Sequence, residues 1–192
     1  MHRVGIDLFQ HAGKHYVVMV DGYSGFPWVE QLHSLSTGTV IKKLNNWFRT
    51  FGYPTNIRTD GGPQFRSEFK KFCTHIGANK ETSSPYYPQS NGMAEAAVKQ
   101  TKHLLIKHKG NLNNFQEALL TWRNTPKSAT YSPAQLMFGY AQNFGQGPPL
   151  KQVYINRADA ETRNRHQGEK LQQTCKDTPS TTQQLTDRNP GP

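Results

Sequence analysis

Acids are scarce in this chain, with 13 Asp and Glu against 23 Lys and Arg, so an acid set among apolar residues or glycines asks for a reason. Asp7 interrupts the apolar run Val4-Gly5-Ile6-Asp7-Leu8-Phe9. A lone carboxylate buried in such a strand is costly and needs a cation, a metal or hydrogen-bond donors, unless it sits at a strand edge facing water. Asp60 closes a short β-forming run and precedes Gly61-Gly62-Pro63. Ligands of open α/β sheets gather at the carboxyl ends of parallel strands, although an acid before glycine also suits a plain turn. Glu95 falls in the first turn of a helix that follows Asn91-Gly92, where an acid also complements the helix dipole. Each of the three has an ordinary structural reading beside the chemical one.

The elements that must position them can be read from periodicity and turn chemistry. Residues 4–9, 14–21 and 26–32 read as strands joined by short turns, hence an antiparallel meander. Asp21 closes the second of these before Gly22-Tyr23-Ser24-Gly25 and reads as a turn-capping acid. A helix capped by Ser36 or Thr37 follows, with Val40, Ile41, Leu44, Trp47, Phe48 and Phe51 at helical spacing and Gly52 and Pro54 ending it. Its aromatics read as core or dimer interface rather than as base-stacking surface. A short strand over 56–60, a helix over 67–76 and a strand over 78–83 come next. Residues 84–92, with two prolines and Asn91-Gly92, must form a loop. Helices are then predicted over 93–109 and 114–123, and a short one from Ser132-Pro133. The order βββ-α-β-α-β-α-α predicts an α/β fold: a mixed five-stranded sheet, three strands antiparallel and two added in parallel, with helices on both faces.

The charge is +10 with a pI near 9.7. Residues 1–140 hold 16 basic and 8 acidic side chains, whereas 141–192 hold 7 and 5. A folded region that basic favours a polyanionic partner. No stretch approaches the ~20 apolar residues of a membrane span, and the first residues lack the apolar region of a signal peptide, so a soluble intracellular protein is expected. The cysteines, Cys73 and Cys175, form no CxxC pair; Cys73 reads as a small buried apolar residue. Beyond about residue 140 the pattern fades into Gly, Pro, Gln, Thr and Asn. Two domains of unlike character are therefore expected: an ordered unit over 1–140 and a mostly disordered polar tail over 141–192.

The words around the three acids resemble one family. Thr59-Asp60-Gly61-Gly62-Pro63-Gln64-Phe65 and Tyr86-Tyr87-Pro88-Gln89-Ser90-Asn91-Gly92-Met93-Ala94-Glu95 are similar to the second and third catalytic blocks of retroviral and gypsy-type retrotransposon integrases. Gly5-Ile6-Asp7, with the strand and turn over 16–23, resembles the first block. Trp122-Arg123-Asn124-Thr125-Pro126 and the segment 131–139 resemble the stretch just after the core. The similarity runs from about residue 3 to 139.

That resemblance implies an RNase H-like fold in which Asp7, Asp60 and Glu95 are catalytic and hold two Mg²⁺ or Mn²⁺ ions. Hard divalent cations take oxygen ligands, and a pair of them suits in-line phosphoryl displacement. The implied reaction is DNA 3′-end processing by water, then strand transfer by the new 3′-hydroxyl, with element ends and target DNA as partners. A homodimer or higher oligomer and a nuclear location go with it. The alternative is a domesticated, non-catalytic DNA-binding protein derived from an integrase. Lys99 and Lys102, at i+4 and i+7 from Glu95, share its helix face and would meet DNA phosphates. Tyr86, Gln89 and Asn91 lie on the loop that would meet DNA near the scissile phosphate. Two departures stand out. Asp60 and Glu95 are separated by 34 residues, one fewer than the family pattern. The family's N-terminal zinc domain and C-terminal DNA-binding barrel have no counterpart in the sequence, so full integration by this chain alone is not expected.

Overall fold

The computed structural model describes residues 1–82, 92–126 and 131–142. Strands β1 (Arg3–His11), β2 (Lys14–Asp21) and β3 (Pro27–Leu32) form the expected meander, and β4 (Asn56–Thr59) and β5 (Asn79–Thr82) extend it. The sheet order is β3-β2-β1-β4-β5. β1 runs antiparallel to β2 but parallel to β4, so it is the strand at which the two halves of the sheet meet. Crossover helices α1 (Thr37–Phe51) and α2 (Ser67–His75) connect β3 to β4 and β4 to β5. After them come α3 (Gly92–Lys107), α4 (Leu112–Asn124) and α5 (Pro133–Phe138).

Side-chain alternation along the strands sends the two halves of the core to opposite faces. One face gathers Val4, Ile6, Val17, Met19, Trp28 and Ile57 with Val40, Leu44 and Phe48 of α1 and Phe69 and Cys73 of α2. It is rich in aromatics: Phe26 lies 4.7 Å from Trp28 and 5.2 Å from Phe138, and Trp28 lies 5.2 Å from Phe51. The helix-one aromatics are thus core residues, Trp47 and Phe48 buried and Phe51 packed against them. Cys73 is buried, which pushes its thiol up to about 11 and leaves it unreactive. The other face gathers Phe9, Tyr16, Val18, Val20 and Val29 beneath α3 and α4. There α3 offers small residues, Ala94, Ala97 and the buried Thr101, whose hydroxyl donates to the Ala97 carbonyl (2.7 Å). Small contact residues let the helix approach the sheet closely.

Local rules fix the ends of the elements. Ser36 caps α1 by accepting from Thr39 N–H, Asn111 caps α4, and Ser132 opens α5 with a reciprocal capping box to Gln135. Arg123 secures α4 to β3: its Nε donates to the Pro27 carbonyl (3.0 Å) and its guanidinium lies 4.7 Å over Phe26. Burial lowers its pKa to about 10. Of the predicted loop over 84–92, residues 84–91, with Tyr86, Gln89 and Asn91, lie outside the described residues, as does the tail beyond residue 142, whereas Gly92 already opens α3. No helix among the described residues is long and apolar enough to cross a membrane.

Candidate active site

Asp7 sits mid-way along β1, the strand shared by both halves of the sheet. Ile6 and Leu8 belong to the α1–α2 face, so alternation sends Asp7 and Phe9 to the α3 face. The carboxylate is half-buried, and its Oδ1 accepts a hydrogen bond from the Leu8 N–H (2.7 Å). Burial is the main reason that its pKa rises from 3.8 to about 6. The Leu8 hydrogen bond and the charge of Lys102 oppose the rise; the negative charges of Asp60 and Glu95 add to it.

Asp60 follows the last residue of β4, directly across the parallel register from β1. The strand delivers it because Ile57 and Thr59 are both fully buried, and the Thr59 hydroxyl donates to the Asp60 carbonyl (2.9 Å). Beyond it, the Gly62 N–H donates to Asp60 Oδ1 (3.1 Å). A β-carbon at Gly62 would come within 3.0 Å of that oxygen and 3.4 Å of Gln64 Oε1, so any larger residue there would press on the Asp60 carboxylate. A single 3₁₀ turn over Pro63–Phe65 then buries Phe65 edge-on against Phe69 (5.1 Å), which anchors the loop to α2. The Asp60 side chain itself is exposed.

Glu95 lies in the first turn of α3 and is exposed, while Ala94, Ala97 and Val98 beside it are buried. Packing those residues on β1 and β2 brings the start of the helix, and the Glu95 charge, toward Asp7. Of the two lysines on that helix face, Lys99 is exposed, whereas Lys102 is half-buried with its Nζ 5.5 Å from the Phe9 ring centroid. Asp21, by contrast, is a turn cap: buried, it accepts from Tyr23 N–H, Ser24 N–H and the Ser24 hydroxyl.

Three acids from positions 7, 60 and 95 therefore share one electrostatic neighbourhood. Their oxygens are the hard donors that Mg²⁺ or Mn²⁺ takes. Among the described residues, however, no three His, Cys, Asp or Glu side chains are gathered tightly enough to hold an ion. The two findings agree: charges are felt over roughly 10 Å, whereas a shared ion needs ligands within roughly 2 Å of it. Like charges facing one another spread apart, and the exposed Asp60 and Glu95 have room to turn. A cleft of about 240 Å³ is lined by Asp60 together with Leu8, Phe9, Gln10, His15 and Gln64. Sequence reasoning passed over Gln10 and His15, which carry no motif; only their cross-strand pairing brings them together.

Comparison with known proteins gives this geometry a family. Residues 4–88 match the integrase core domain. An uncharacterized protein of Caenorhabditis elegans is 37% identical over 134 residues, covering 66% of this chain and 11% of that protein. The Pro-Pol polyprotein of simian foamy virus type 3 is 33% identical over 136 residues, covering 67% and 12%. The chain thus spans about a tenth of the length of these relatives. Among solved structures, the catalytic core domain of BIV integrase superposes with a TM-score of 0.62 at 20% identity, covering 71% of this chain and 93% of that one. The simian T-cell lymphotropic virus intasome, solved in complex with PP2A regulatory subunit B56 gamma, superposes with a TM-score of 0.63 at 26% identity, covering 81% and 58%. The mixed five-stranded sheet flanked by helices is an RNase H-like fold. Within that class, the matched part of the chain is a retroviral-type integrase catalytic core.

Proposed function

We propose that residues 1–140 form a polynucleotidyl transferase core that cuts and joins DNA ends, with Asp7, Asp60 and Glu95 as its catalytic carboxylates. What supports this is the convergence of the Asp60 and Glu95 charges on Asp7, a half-buried acid with one hydrogen-bond donor. All three would be ligands to Mg²⁺ or Mn²⁺. Such ions, when bound, would activate the attacking oxygen and stabilise the leaving one.

In this reading the adjacent interior strands β1 and β4 supply a rigid base carrying Asp7 and Asp60, and α3 brings Glu95 across to it. Water would serve as nucleophile in end processing and a DNA 3′-hydroxyl in strand transfer. Lys99 and Lys102, with Tyr86, Gln89 and Asn91, would hold the DNA end by its phosphates and its last nucleotides. Retroviral polyproteins and an intasome are among the proteins the chain resembles, so element ends and target DNA are the proposed partners, and a dimer or higher assembly in the nucleus the proposed setting.

The test is Mn²⁺-dependent cleavage and joining of a branched oligonucleotide. Glu95→Gln should abolish both, and unchanged activity in that variant would remove Glu95 from the chemistry. The basic surplus of residues 1–140, 16 Lys and Arg against 8 Asp and Glu, suits DNA binding with or without turnover and so supports a second reading, a domesticated core that binds DNA without turning it over. DNA binding with no metal-dependent product from the wild-type chain would select it.

A further inference from the structure

Lys102 departs from the exposed basic face to which its spacing assigns it. Its ammonium lies over the Phe9 ring, 5.5 Å from the centroid, and its side chain is half-buried. The ring is a fixed platform, because Phe9 is buried and stacks on Tyr16 at 5.1 Å with only 12° between the planes. Phe9 is two residues beyond Asp7, on the same side of β1. Lys102 is seven residues, about two turns, beyond Glu95 on the same flank of α3. The cation is thus placed where the flanks bearing two of the three carboxylates meet. It makes no ion pair among the described residues. Lys99, one turn closer to Glu95 along the helix, is exposed and has no such seat.

We propose that Lys102, seated on Phe9, is a resident counter-cation of the carboxylate cluster: it competes with divalent ions for the field of the acids. It gives way when a DNA phosphate draws its ammonium off the ring. The inference rests on the reading of Asp7, Asp60 and Glu95 as metal ligands. A cation on an aromatic face in partial contact with water is held weakly, so the seat can be left. The charge acts on Asp7 as such a role requires, opposing the burial and like charges that favour its protonated form. Lys102 would then have two partners in turn, the acids of the empty site and the phosphate backbone of the loaded one. The energy spent on leaving the first would couple DNA docking to ion entry.

The test is direct Mn²⁺ binding to the full chain without DNA, read as loss of the free-ion EPR signal. Lys102→Met should tighten Mn²⁺ binding by about five- to tenfold at low salt, the order of the Coulomb effect that a nearby unit charge has on a divalent ion in a water-like dielectric. The gain should shrink in 0.5 M salt. Lys102→Arg, which keeps the charge, should bind as wild type does, and Lys99→Met should change affinity by less than about twofold, since Lys99 is exposed and solvent screens its charge. Equal effects of Lys99→Met and Lys102→Met, or none from Lys102→Met, would overturn the role of Lys102 while leaving the ligands in place. An Asp7→Asn chain that retains wild-type Mn²⁺ binding would overturn the ligand assignment and this inference with it.

Discussion

Asp7 and Asp21 lie on neighbouring strands one β-ladder apart, and they use their carboxylates in opposite ways. Asp21 is the more deeply buried, yet three donors from its own turn surround it: Tyr23 N–H, Ser24 N–H and the Ser24 hydroxyl. Asp7 is less buried, has one donor, and faces the charges of Asp60 and Glu95. A buried acid with a full set of donors is a structural part. One left short of donors among like charges stores unfavourable energy that a cation would release.

Substitutions at the two positions should separate these roles. Asp7→Asn is expected to lower metal-dependent cleavage by about a thousandfold or more, the loss of several kcal/mol of transition-state stabilisation. In the same variant, urea unfolding at pH 7 should give a stability equal to or above wild type, by about 1–2 kcal/mol after allowance for the partial exposure of the group. Loss of folding together with activity would erase the contrast. Asp21→Ala should behave in the reverse manner. It strands the Ser24 N–H and hydroxyl in a buried turn and should cost about 2–3 kcal/mol of stability, with activity per folded molecule unchanged.

The pH dependence sharpens the comparison further. Folded Asp7 holds its proton up to about pH 6, whereas the unfolded carboxyl loses it near 3.8. Between those values the folded state binds more protons, so stability should fall as pH rises from about 4 to 6 and level off above. The wild-type minus Asp7→Asn difference in urea midpoints should carry that slope, and a flat difference would show that Asp7 is not strained. The smallest effect is on DNA. Lys99→Glu with Lys102→Glu should weaken binding and reduce the slope of log affinity against log salt by about 2. An unchanged slope would make both lysines bystanders.

The mixed sheet and the helices were legible, though not the order of the strands, because each element carries its own punctuation: Gly52-x-Pro54, Ser36, Ser132-Pro133. β1 was read too short, ending at Phe9 instead of His11. The reason is the turn that joins it to β2, in which Ala12 adopts φ 47° beside Gly13 at 73°; an alanine in that conformation gives no turn signal. α4 begins at Leu112, before the expected 114, because Asn111 accepts from both Asn113 and Asn114 N–H and so caps one register earlier. The turn over Pro63–Phe65 is too short to have a period. For the site, family blocks pointed to the three acids, and spacing put Lys99 and Lys102 on one face. Spacing could not tell that one of them rests on Phe9, since a helical repeat gives direction but not the partner across the interface.

The bare α-carbon of Gly62 has a practical corollary. Adding one methyl there would press on a side chain with freedom to swing, rather than on backbone, so the fold should tolerate it while the Asp60 oxygens are turned aside. Gly62→Ala therefore offers a mute version of the protein with its formal net charge of +10 and every ionisable group intact. Such a variant would let docking onto DNA be followed without catalysis, a separation that none of the acid-to-amide changes permits, because each of them also alters the electrostatics that guide the docking.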